Sequence, residues 1–279
     1  MKLNKLLCFV SLLPLFASCS AKDTSKTISV CASESPHAEI LNNAVKPLLE
    51  KKGYTLSVTV LDWTLQNDSV YNKDYDANYF QHRPYLQQYD SGSTNYSTSY
   101  KYTKVKPVCS IHFEPLRIYE GKSKASDFDS KKKTATYEIC ADPSNAIRAL
   151  DLLKENGVID SYGVDSNGNP TSDTIPSNIT MVAEDLLVAN LSSYDYAVLP
   201  TNSALTGNIK GNDLLPTESN SVKDLRSNVL ACRVKDYDSD TTYKAKIDVL
   251  VDALLDSSVS DYIIEKYNNV IIAAQTDLR

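Results

Sequence analysis

The residue pattern predicts an α/β protein in two lobes, and three observations carry that prediction. The chain of 279 residues is long for one domain and comfortable for two, at about 100–200 residues each. Two separate strand–helix successions, one from Thr27 and one from Thr134, read as the opening of two α/β units. Extended segments near 111–119 and 228–235 read as two connections between the units, which returns the C-terminal helices to the first lobe.

The elements follow in order. Residues 27–32 read as a short buried strand. Ser35-Pro36 then opens a helix, since Ser caps free backbone N–H groups and Pro suits the first helical position. Ile40, Leu41, Ala44, Val45, Leu48 and Leu49 recur at helical spacing, and Gly53 is a stop before a β-branched strand over 54–61. Asp76 to Asn78 closes an irregular second crossover, residues 80–89 read as helical, and 90–102, rich in Ser, Thr, Tyr and Asn, as a surface loop. The extended run 105–119 is interrupted by Pro115 and is long enough to leave one lobe and enter the other. Lys131–Lys133 is a solvated charge run before a strand over 134–140. Asp142-Pro143 opens the best-defined helix, with Ala146, Ile147, Leu150 and Leu153 on its apolar face and Gly157 closing it. Strands are expected at 180–183, 196–200 and 229–234, helices at 185–191, 243–255 and 259–267, and loops at 163–177 and 219–227.

The N-terminus carries a distinct signal. Lys2 and Lys5 precede an apolar run from Leu6 to Phe16, too short to span a bilayer and suited to a signal-peptide core. Leu15-Phe16-Ala17-Ser18-Cys19 then forms a lipobox, with Phe16 where Leu is commoner. We therefore expect a signal peptide over 1–18, acylation of Cys19 and a polar tether over 19–26, leaving the mature chain anchored to the cell membrane and facing outward. The first lobe is assigned to 27–112 and 235–279, the second to 113–234. Four cysteines remain in strand-like segments, Cys31, Cys109, Cys140 and Cys232; three disulfide pairings are open, as is the reading that all four are small buried hydrophobes. A net charge of −6 argues against nucleic acid, whose binders present a basic face.

Several strings occur in a telling order: Ser35-Pro36-His37-Ala38-Glu39-Ile40-Leu41; Val45-Lys46-Pro47-Leu48-Leu49-Glu50-Lys51-Lys52-Gly53-Tyr54; Asp76-Ala77-Asn78-Tyr79-Phe80-Gln81-His82-Arg83-Pro84-Tyr85-Leu86; His112-Phe113-Glu114-Pro115; and Asp142-Pro143-Ser144-Asn145-Ala146-Ile147-Arg148-Ala149-Leu150. Together they resemble the methionine-binding lipoprotein family of the NlpA type, the solute receptors of methionine ABC importers, from about residue 28 to about 274. The resemblance implies a type II periplasmic-binding-protein fold: two α/β lobes, two hinge crossings and a ligand between the lobes. It also implies L-methionine as ligand and a membrane permease with its ATPase as partners. No cofactor and no resident metal are expected, and the chain is expected to be a monomer.

A free amino acid asks for three kinds of partner. Its carboxylate needs a planar cation, and Arg148 lies on the Asp142-Pro143 helix with Asn145 three residues before it on the same face; in the family this Arg grips the carboxylate. Its ammonium needs acceptors, for which Glu114, Asn202 and Asn228 are candidates, while His112 shares a strand face with Glu114. Pro200-Thr201-Asn202 departs from the family's Asn-x-Asn, which removes one polar contact. Its side chain needs an apolar slot, which the resemblance assigns to Tyr79, Phe80, His82 and Tyr85, with Trp63 expected to cover it. His37 divides evenly between a capping role and ligand contact.

Three other classes compete. A metal receptor would draw on His82, His112 and Glu114, but the chain has only three histidines and no His-rich loop. An enzyme would need a nucleophile elbow, a phosphate-binding Gly-rich loop or a His-Glu-x-x-His helix, and none of these motifs is present. The same fold could instead hold another amino acid, a methionine derivative or a short methionine-containing peptide.

Overall fold

The computed structural model describes residues 24–279. The signal peptide and Cys19 lie outside the described residues. Among the described residues no helix is long and apolar enough to cross a membrane.

Two sheets organise the chain. The first succession is β1 (Thr27–Ala32), helical turns at Glu34–Ala38 and Leu41–Val45, helix α1 (Lys46–Lys51) and β2 (Thr55–Val60). One detail at its start differs from expectation. Ser35 is extended, at φ −122° and ψ 138°, and no side chain caps the helical turns. Next come α2 (Trp63–Tyr71), β3 (Ala77–His82), α3 (Arg83–Ser91) and β4 (Val105–Phe113). The second lobe holds β5 (Arg117–Glu120), α4 (Phe128–Lys131), β6 (Tyr137–Cys140), α5 (Pro143–Glu155), β7 (Ile179–Val182), α6 (Glu184–Asn190), β8 (Tyr196–Leu199), α7 (Thr201–Thr206) and α8 (Lys223–Arg226). The chain returns through β9 (Asn228–Arg233), α9 (Val234–Ser239), α10 (Thr241–Leu254), α11 (Ser257–Tyr267) and β10 (Ile272–Asp277).

The first sheet runs β10-β4-β9-β3-β1-β2 and the second β5-β8-β6-β7. In the first, β1 pairs in parallel with β2 and β3, while β9 lies antiparallel between β3 and β4. In the second, β6 pairs in parallel with β7 and β8, and β5 caps the edge antiparallel to β8. Each sheet buries an apolar core of its own against its helices. The first centres on Ile28, Ile40, Leu41, Leu230 and Leu250, the second on Ile118, Ile139, Leu150 and Val198. Cys31, Cys109, Cys140 and Cys232 are free and buried. Burial pushes every one of these thiols up, Cys31 and Cys232 to about 12.

Two expectations need correction. The second crossing lies before β9, at Ser227, and not at 234/235, because all six β9 residues are buried between β3 and β4 in the first sheet. An apolar run does not say which sheet it joins. The stretch read as helix from Phe80 is strand as far as His82, because pairing with β9 continues to His82 beyond the Ala77–Tyr79 segment that also pairs with β1. Helix begins only at Arg83, capped by His82, whose Nδ1 accepts from the Tyr85 N–H at 3.1 Å.

This topology gathers strand ends. Asn228, at the start of β9, sits opposite both His82 at the end of β3 and His112 in β4. Across the gap, α5, α6 and α7 follow directly on the carboxyl ends of β6, β7 and β8. Open α/β sheets bind ligands outside the carboxyl ends of their strands.

Candidate functional site

A small cavity lies where these ends meet. Nine of the eleven expected residues line it: Trp63, Phe80, His82, Tyr85, Glu114, Asn145, Arg148, Asn202 and Asn228. The first lobe's wall is aromatic. Trp63 opens α2, capped by Asp62, whose Oδ1 accepts from the Thr64 N–H at 2.9 Å. Its ring meets Tyr85 edge-on at 5.3 Å, and Phe80 meets Tyr85 at 5.8 Å. His82 joins the lobes: with Nδ1 accepting from Tyr85, its Nε2–H donates to Asn145 Oδ1 at 3.2 Å. Burial and then the charges of Arg226 and Arg148 hold this imidazole neutral, well below the usual range.

Arg148 is reached through α5. Asp142 caps that helix, with Oδ1 accepting from the Asn145 N–H at 2.9 Å. Arg148 is 6% exposed, and its charge is already met. Nε donates to Glu218 Oε1 at 2.7 Å and Oε2 at 2.9 Å, Nη2 donates to the same carboxylate, and Nη2 also reaches the Glu114 carbonyl at 2.6 Å. Nη1 is in none of these bonds. The sequence reading missed Glu218, which arrives from an irregular segment with no pattern of its own.

Tyr79 and His112 do not line the cavity; they lie beneath it, both fully buried. The Tyr79 hydroxyl contacts His112 Nδ1, and His112 Nε2 lies 2.6 Å from Glu114 Oε1. Burial raises the phenol, so it is the donor to Nδ1, and Nε2–H then donates to Glu114. His37 completes the group, with Nε2 at 3.3 Å from Asn228 Oδ1 and 3.4 Å from Glu114 Oε1. Burial lowers His37 to about 4 and His112 to about 3. Burial also raises Glu114, against the pull of His37, Arg148 and the Asn202 backbone. The ligating atoms of His37, His112 and Glu114 lie within 4.8 Å of one another, a donor set compatible with zinc. His82, which the sequence reading had grouped with His112 and Glu114, is committed to Asn145 and Tyr85 instead.

Ser33, Gln81, Glu184 and Pro200 also line the cavity and were not anticipated. Pro200 presents no N–H, and the following Thr201 hydroxyl donates to the Pro115 carbonyl at 2.6 Å, fastening α7 to the first crossing. The arrangement offers an aromatic wall, a guanidinium, two carboxylates and four amides around one small space. That set suits a small zwitterion with an apolar side chain.

The chain is similar to several known proteins. The NlpA lipoprotein family model matches residues 28–275. The methionine-binding lipoprotein MetQ of Bacillus subtilis (strain 168) is 31% identical over 264 residues, spanning 90% of this chain and 89% of that protein. Among solved structures, a nutrient-binding protein from Burkholderia cenocepacia bound to methionine superposes with a TM-score of 0.73 at 26% identity, covering 88% of this chain and 99% of that one. Lipoprotein Tp32 from Treponema pallidum gives a TM-score of 0.72 at 25% identity, covering 89% and 99%. With the match running through both sheets and every element of the cavity, this chain belongs to the NlpA lipoprotein family.

Proposed function

We propose that this protein is a membrane-anchored receptor that captures L-methionine between its lobes and hands it to an ABC importer. The observation that supports this best is the single cavity shared by Arg148 and the Trp63–Phe80–Tyr85 wall. The ligand carboxylate meets the Arg148 side, through Nη1 or by drawing the guanidinium from Glu218. The ammonium meets Glu114, Asn202 and Asn228. The thioether lies against the aromatic rings, each sulfur–aromatic contact contributing about 0.3–1.5 kcal/mol. MetQ of B. subtilis carries methionine binding in its name, and the Burkholderia structure holds methionine. The role is capture, not catalysis: burial holds the histidines at and beneath the cavity neutral.

Arg148→Ala tests this reading. It should weaken methionine binding a hundredfold or more, since a charge-assisted bidentate contact contributes about 3–6 kcal/mol as two bonds of 1.5–3; near-normal affinity would remove Arg148 from the site. The anchor is tested separately, at a residue outside the described region. Cys19→Ala should move the protein from the membrane fraction to the soluble fraction, and retention would contradict lipid attachment. The permease and ATPase are the partners that this role requires.

A further inference from the structure

Two carboxylates share the cavity wall, Glu114 from the first crossing and Glu184 from the first turn of α6. The cations on that wall are engaged: Arg148 is clamped by Glu218, and His82 is neutral. The wall therefore presents two acids and no unpaired positive charge among its lining residues. Glu184 Oε1 accepts from the Ser203 hydroxyl at 3.0 Å, and Asn202 is a second, neutral donor to the carboxylate, so no cation compensates it. With Trp63 and Asn202 it also lines an adjoining opening, so it stands at the neck between that opening and the inner cavity.

We propose that Glu184 is a specificity-determining residue: with Glu114 it accepts the ligand's free ammonium and so rejects amino acids whose nitrogen is acylated. This rests on the amino-acid reading of the cavity and names the group that reading leaves idle. An acylated nitrogen brings no charge and would leave both carboxylates uncompensated in a largely buried site, a penalty that a free ammonium removes.

The groups facing Glu184 are Glu114, Asp142, Asp62, Asp185, Tyr85 and Cys140, with Ser203 and Asn202 as donors. Burial foremost, then Glu114 and Asp142 against the Ser203 and Asn202 bonds, raise its carboxyl to about 7. An arriving ammonium favours the ionised form. Binding near neutral pH thus releases a proton, and affinity rises from pH 6 to pH 8.

The test is calorimetry on the full chain, titrated with L-methionine and N-acetyl-L-methionine at pH 6 and pH 8, in buffers of different ionisation enthalpy. The wild type should bind methionine with proton release and prefer it to the acetylated form at least a hundredfold. Glu184→Gln can still accept the Ser203 bond. It should lose at least tenfold in methionine affinity, release fewer protons and discriminate less between the two ligands. Glu184→Asp keeps the charge, should retain most of the proton release, and decides the matter if the Gln variant does not fold. Unchanged affinity and proton count in folded Glu184→Gln, or loss of the proton release in Glu184→Asp although the charge is kept, would overturn the role of Glu184 while leaving the amino-acid reading standing. A wild type that binds no amino acid would overturn both.

Discussion

Both carboxylate oxygens of Glu138 lie buried on β6 without a hydrogen-bond partner, and burial raises this acid to about 7. Ionising it in place costs folding free energy that the unfolded chain, with an ordinary carboxyl, does not face. The sign follows from proton counts. Between about pH 4.5 and 7 the folded state binds more protons at this site, so stability falls as pH rises through that window. Glu138→Gln should therefore raise the melting temperature more at pH 8 than at pH 5, by about 2–4 °C per kcal/mol recovered; an equal shift at both pH values would contradict an ionised buried Glu138. The trio His37, His112 and Glu114 gives a second residue-scale test. Hydrogen bonds knit it to Tyr79 and Asn228, so micromolar zinc should leave the melting temperature unchanged. A rise with zinc concentration would favour the metal-receptor alternative. At this scale residue types were legible and depth was not. Tyr79 and His112 were grouped with the ligand contacts, but alternation along β3 and β4 turns them under the floor, away from the cavity. Glu218 and Glu184 were illegible because no periodicity marks a loop or a single helix-opening acid as facing a gap.

At the scale of elements, the loop that reads from sequence as featureless surface proves to bridge the lobes. The Ser93 and Thr94 hydroxyls and the Thr94 N–H all donate to the Asn167 carbonyl, at 2.8, 3.0 and 2.9 Å, and Asn95 Nδ2 donates to the Ser166 carbonyl at 3.0 Å. Gly168 permits this approach: its φ is +84°, and a Cβ there would stand 2.6 Å from Asn95 Oδ1. The clasp joins the lobes outside the ligand cavity and forms only when they are together. A Thr94→Ala/Asn95→Ala variant removes two of its bonds, each contributing about 0.5–1.5 kcal/mol. Methionine affinity should fall about 5–150-fold, chiefly through faster dissociation, with little change in melting temperature; unaltered dissociation would make the clasp incidental. Element reading succeeded where capping and apolar spacing agree, as at Asp142-Pro143, where α5 runs Pro143–Glu155. It failed at Phe80, where sheet pairing overrides local aromatic spacing, and at β10, a half-buried edge strand of Ile-Ala-Ala-Gln-Thr-Asp with little β character.

For the whole molecule, two sheets joined by two short crossings make a hinge, and the ligand's work is to hold the lobes together. Shifting such an equilibrium from 1:99 to 99:1 takes about 5.5 kcal/mol of preference for the closed state. Charged bonds at about 1.5–3 kcal/mol and a buried apolar side chain at a similar amount reach that figure. The two-lobe plan was readable from length and from two strand–helix successions. The return point was not, because β9 reads as the same apolar strand in either sheet. The most direct test is calorimetric titration of L-methionine into ligand-stripped protein. Binding at one site per chain, with the negative heat-capacity change of apolar burial, is the expected result. Fully folded protein that gives no methionine-dependent heat at any temperature would contradict capture of this amino acid between the lobes.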